Sequence, residues 1–106
     1  MPAPLSFHID RPDEKTAFVR LAGEFTGMNA LHLKEKILQG IAQSAGGSFI
    51  IDMSGVSYID STAIELLFEC HKRAKEKRLK FALMKPNENV RRVLGAAAIP
   101  RLIDIL

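Results

Sequence analysis

From Leu5 to Ile9 apolar and polar side chains alternate, and Ala17 to Leu21 repeats the alternation after the turn-rich stretch Asp10-Arg11-Pro12-Asp13-Glu14-Lys15. A period of two puts alternate side chains on opposite faces of a pleated strand, so the two segments predict a β-hairpin. Gly23, Gly27 and Asn29 then break the pattern, and Ala30, Leu33, Ile37, Leu38 and Ile41 recur at the spacing of one helical face. This predicts a first helix that starts at Asn29 and ends near Gly46 and Gly47. Phe49-Ile50-Ile51-Asp52-Met53 follows those glycines as a short apolar run, the pattern of a central strand buried on both faces.

The stretch from Ser54 to Ser61 predicts a loop. Beyond it, Ala63, Leu67, Cys70 and Ala74 form one helical stripe, widened by Ile64 and Phe68. Leu79 to Met84 predicts another strand, Asn87 to Leu94 a third helix carrying Val90, Val93 and Leu94, and Leu102 to Leu106 a last extended apolar piece. The order is ββαβαβα plus a short C-terminal segment. Strands that alternate with helices imply right-handed crossovers and parallel pairing, so the expected α/β fold is a single-layer mixed sheet, an N-terminal hairpin joined to parallel strands and backed by helices. With 106 residues the chain has the length of a single domain, expected to span 1–106.

Composition narrows the class. The chain is 47% hydrophobic and 25% charged, which fits a soluble globular protein and excludes a disordered one. No apolar stretch approaches the ~20 residues of a bilayer span, and Met1-Pro2-Ala3-Pro4 lacks the basic and apolar regions of a signal peptide. No membrane contact is expected, and the expected location is cytoplasmic. A lone cysteine, Cys70, fits a reducing compartment and falls on the apolar stripe of the second helix, which makes it a core residue. The net charge of +3 is local in origin. Lys72, Arg73, Lys75, Lys77, Arg78 and Lys80 stand against Glu76 alone, a local +5 that leaves −2 for the remainder. Cations at a helix C-terminus suit its negative end, and the run contains no aromatic residue on which a base would stack, so no direct nucleic-acid binding is expected.

Catalytic constellations are absent from the pattern. His8, His32 and His71 fall in three different elements without metal-ligand spacing, and neither GxxxxGK[ST] nor GxGxxG occurs. Asp52, at a strand end, lacks the acidic pair and lysine that a phosphoacceptor with Mg²⁺ requires. No catalytic residue, metal or cofactor is expected, and the protein is not expected to be an enzyme.

The informative segment is Tyr58-Ile59-Asp60-Ser61-Thr62-Ala63-Ile64-Glu65. Thr62 and Glu65 have the S/T-x-x-E spacing of a capping box, which would start the second helix at Thr62 and leave Ser61 just outside the first turn. Two readings of Ser61 remain open on these residues: a second polar cap, or a regulatory serine where the positive helix end favours an added anion.

Three blocks carry a resemblance: Leu21-Ala22-Gly23-Glu24-Phe25; the run from Phe49 to Ala63; and Phe81-Ala82-Leu83 with Val90-Arg91-Arg92-Val93-Leu94. Over nearly its whole length the sequence resembles a STAS domain, specifically the small bacterial anti-sigma factor antagonists. The middle block corresponds to the family's hydrophobic strand and "l.gv.fiDSsGl" loop. The resemblance implies that Ser61 is the phosphorylation site of a partner-switching module. In that scheme the unmodified form binds an anti-sigma factor that is also a serine kinase, phosphorylation releases it, and a serine phosphatase restores it. The implied partner surface comprises Glu24, Met28, Asn29, Tyr58, Asp60, Thr62, Glu65 and Glu69, with Met28 and Tyr58 as exposed apolar anchors. The alternative within the family is a STAS scaffold that is never phosphorylated, an accessory of a signalling or transporter complex.

The chain also departs from the family pattern. Ala63 stands where glycine is usual, which would add a methyl group to the surface the kinase approaches. Thr26 stands where G-E-[LI]-D has aspartate, leaving it a capping or turn role. Many members of the family carry a fourth, C-terminal helix, whereas Leu102 to Leu106 here is an apolar tail, expected as an edge strand or short helix and open to cover by a partner or to weak homodimerisation.

Overall fold

The computed structural model describes residues 4–106. Its strands are β1 (Ser6–Asp13), β2 (Thr16–Phe25), β3 (Ser48–Ile59), β4 (Lys80–Met84) and β5 (Asp104–Ile105). The helices are α1 (Gly27–Ala42), α2 (Ser61–Glu76) and α3 (Glu88–Ala96), with a 3-10 turn at Ile99–Arg101. The five strands form one sheet in the order β1-β2-β3-β4-β5. β1 and β2 are antiparallel, and the remaining neighbours are parallel. The expected mixed α/β sheet with an N-terminal hairpin is therefore the observed fold.

Alternation along β2 decides which face is core. Ala17, Val19 and Leu21 are buried, as are Phe49, Ile51 and Met53 on β3. They meet Leu33, Ile37 and Ile41 of α1 and Leu67, Cys70 and Ala74 of α2 in one apolar cluster. Burying each large aliphatic side chain contributes roughly 1.5–3 kcal/mol, enough for the α1 and α2 stripes to hold the helices to the sheet. α3 adds Val90 and Leu94 to the same cluster, and its N-cap Asn87 donates Nδ2–H to the Val56 carbonyl at 3.0 Å.

Element boundaries differ from the sequence reading in instructive ways. Hairpin strands run longer than expected: β1 continues through the segment read as a turn to Asp13, and Gly23 does not end β2. Gly23 holds φ at +116°, and a Cβ there would lie 2.5 Å from the Pro4 carbonyl oxygen, so only glycine carries the strand through this point. Helix α1 starts two residues earlier than Asn29 and ends at Ala42, short of the glycine pair. The expected loop after Met53 is instead the second half of β3. Pairing with β2 skips from Arg20↔Asp52 to Ala22↔Gly55, and again from Gly23↔Val56 to Glu24↔Tyr58. Each skip inserts an extra residue on β3, so the buried positions are Met53, Val56 and Ile59, three apart instead of two. Gly55 permits the close approach there, since a Cβ would come within 2.8 Å of that of Ala22. The tail resolves as a 3-10 turn followed by the short edge strand β5, paired with β4.

Candidate functional site

The start of α2 is built differently from the capping box read in the sequence. Asp60, not Thr62, is the N-cap; its Oδ1 accepts the Ala63 N–H at 3.2 Å. Thr62 and Glu65 therefore lie inside the helix, and Ser61 is its first residue, exposed, instead of sitting outside the first turn. Its hydroxyl makes no hydrogen bond within the described residues, which leaves the oxygen accessible to a reacting group.

The second oxygen of Asp60 reaches across to the other helix. Oδ2 accepts the backbone N–H of Gly27, the first residue of α1, at 3.0 Å. Thr26 holds the N-cap position of α1 but makes no side-chain cap bond, so a carboxylate from the β3–α2 junction caps α1 in its place. One side chain thus satisfies orphan N–H groups at two helix starts and fixes them side by side.

Around this junction the expected partner residues fall into two groups. Met28 and Tyr58 are large apolar side chains left 63% and 59% exposed, and they flank the junction from the start of α1 and the end of β3. Glu65 is exposed on the first turns of α2. Glu24 and Asn29 are half-buried, and Asn29 Nδ2 donates to the Glu24 carbonyl at 3.0 Å, so part of their work is to hold the β2–α1 connection. Glu69 lies two turns along α2, about 12 Å from Ser61 by helical rise, and pairs with Lys34 of α1 at 3.7 Å. Ala63 is fully buried, so its methyl group packs into the core and adds nothing to the surface a kinase would meet.

The sequence reading missed Leu31. It is 51% exposed and lines a groove between α1 and α2 with Ala30, Lys34, Thr62, Glu65 and Glu69. The signal was available, because Leu31 falls off the apolar stripe Ala30-Leu33-Ile37-Ile41 and so faces away from the sheet.

Two other residues with potential chemistry are occupied by structure. Burial acts to raise the Asp52 carboxyl, but the Ser54 N–H at 2.9 Å, the Ser54 hydroxyl and the charges of Arg20 and Lys85 outweigh it, holding the pKa below its ordinary value. Arg20 Nε lies 3.7 Å from Asp52 Oδ2. Cys70 is buried as expected; desolvation, reinforced by the charge of Glu69, pushes its thiol up to about 12. Among the described residues no group of three His, Cys, Asp or Glu side chains is placed to hold a metal ion, and no helix is long and apolar enough to cross a membrane.

Comparison with known proteins places this arrangement. The STAS domain model matches residues 9–105, and the chain belongs to the STAS-domain family. An anti-sigma factor antagonist from Mycobacterium paratuberculosis superposes with a TM-score of 0.86 at 18% identity, over 99% of this chain and 89% of that one. The anti-sigma factor antagonist SpoIIAA in its unphosphorylated form gives 0.81 at 21% identity, over 95% and 88%. The phosphorylated form of Bacillus SpoIIAA gives 0.73 at 20% identity, over 95% and 91%. At these identities the likeness is one of fold. Probable sulfate transporter 4.2 of Arabidopsis thaliana is 39% identical over 54 residues, which are 51% of this chain and 8% of the transporter. The matched segment is thus a small fraction of that relative's length.

Proposed function

We propose that the protein is an anti-sigma factor antagonist whose unphosphorylated form binds an anti-sigma factor with serine kinase activity, and that phosphorylation of Ser61 switches the complex off. The observation that carries the reading is the position of Ser61: exposed, first in α2, and flanked by the exposed Met28 and Tyr58. A phosphoserine brings about −1.5 to −2 charges. At a helix start that charge meets the positive end of the dipole, so the fold tolerates it. At a partner interface the same dianion must be desolvated next to Asp60 and Glu65, which opposes docking. The protein acts as substrate and switch; the phosphoryl group comes from the kinase's ATP and leaves through a serine phosphatase. This role places it in the cytoplasm.

Isothermal titration of the anti-sigma factor with unmodified and with enzymatically phosphorylated protein tests the proposal. The unmodified form should bind and the modified form should not; equal affinities would exclude the switch. A second reading, a STAS scaffold of a transporter assembly that is never phosphorylated, draws support from the identity to the plant transporter segment. It predicts that no serine kinase of the same organism modifies Ser61.

A further inference from the structure

We propose that the end of α2 farthest from Ser61 is a second docking surface, one that receives an acidic, leucine-bearing segment of a partner protein. Helix α2 rises about 21 Å between Ser61 and Lys75, so this surface is well separated from the phosphorylation site. There a groove of about 420 Å³ is lined by His71, Lys75, Arg78, Lys80, Leu102 and Asp104, over a floor of Leu79 and Phe81. Lys75, Arg78 and Lys80 are exposed, and none makes an ion pair within the described residues, although Asp104 lines the same groove. Leu102 is 54% exposed beside them.

Helix capping does not account for these cations. Complementing the dipole explains Arg73 and Lys75 in the last turn, but Arg78 follows the helix and Lys80 lies on β4. The helix ends in a Schellman turn, with Arg78 N–H donating to the Lys75 carbonyl at 3.0 Å and Leu79 N–H to the Ala74 carbonyl at 2.8 Å. Arg78 holds the left-handed position of that turn at φ +58°, where glycine is favoured. Arg78 thus places a third unpaired cation beside Lys75 and Lys80 and the exposed Leu102, at a conformational cost that glycine would not carry.

The chemistry of the occupant follows from the lining. Unpaired cations select an anionic ligand, and exposed Leu102 supplies apolar contact for a side chain between the acids. A nucleic acid is read by stacking on several exposed rings, yet of the two rings in the lining Phe81 is buried and only the half-buried His71 imidazole is open to a base.

The test titrates the isotope-labelled full chain with a synthetic peptide that alternates glutamate pairs with leucine, followed by amide shifts at low and high salt. Saturable shifts should appear at Lys75, Arg78, Lys80 and Leu102 and be absent at Ser61 and Met28. Arg78→Gly should raise the urea midpoint while weakening the peptide about two- to fivefold, and Lys75→Glu should weaken it about tenfold. The opposite signs in Arg78→Gly separate loss of contact from loss of fold. Shifts spread evenly over Arg91, Arg92 and Lys36, unchanged affinity in both variants, or tighter binding of single-stranded oligonucleotide or phosphatidylserine vesicles would overturn the proposal.

Discussion

Asp60 Oδ2 accepts the Gly27 N–H at 3.0 Å while Oδ1 of the same carboxylate accepts the Ala63 N–H at 3.2 Å, so one side chain ties the starts of α1 and α2 together. The carboxylate also adjoins Ser61, which makes Asp60 the residue that positions the proposed phosphorylation site relative to Met28. Asp60→Ala removes a charged acceptor from two N–H groups and should cost about 2–3 kcal/mol, measured as a loss in urea stability. Asp60→Asn keeps a single acceptor oxygen and should lose roughly half of that. Equal stability of all three proteins would show that neither helix depends on the link.

Met28 is exposed at the beginning of α1 and makes no contribution to the core cluster. Met28→Ala should leave unfolding free energy within about 0.5 kcal/mol of the parent. On the proposed function, in which Met28 is an apolar anchor, the same change should weaken binding of the anti-sigma factor about tenfold. A destabilised variant would instead assign Met28 to packing.

How much of this was legible in the sequence depended on whether the pattern was local. The α1 and α2 stripes follow from helical periodicity, and burial of Cys70 follows from its place on one of them. The role proposed for Ser61 was not legible in local pattern, which left a polar cap open as well; it rests on the resemblance carried by the run from Phe49 to Ala63. The second half of β3 was not legible, because two inserted residues replace the alternation of period two by buried positions at Met53, Val56 and Ile59. Nor was the true cap: Asp60 and Thr62 both have capping side chains at usable spacing, and the choice is made by a tertiary contact, the N–H of Gly27 arriving from another helix. Strand β5 is equally non-local, since two residues define a strand only through their pairing with Ala82 and Leu83.

Asp52 gives the fold a pH signature. Its folded pKa lies below the unfolded value, so the unfolded chain binds the proton more tightly and the carboxylate's contribution is present above the unfolded pKa. That contribution is lost as pH falls through the folded pKa. Asp52→Asn should therefore be less stable than the parent near neutral pH, by about 1–2 kcal/mol for a lost charged acceptor, and the gap should close in acid. A gap that persists unchanged below the carboxylate range would assign the effect to packing.

The Cys70 thiol, buried and pushed up to about 12, should be inert in the native protein. At mildly alkaline pH a thiol-specific disulfide reagent should label it only at the rate of unfolding, and promptly in urea. Fast labelling without denaturant would show that the α2 core opens locally.

The claim on which the functional account turns is that Ser61 is the switch. Incubating the protein with its cognate anti-sigma kinase and ATP, then mapping the product by mass spectrometry, tests it most directly. The account predicts one added phosphoryl group, located on Ser61 and absent from Ser61→Ala, with a melting temperature nearly unchanged. Phosphate on any other residue, or none while the protein still binds the kinase, would contradict it.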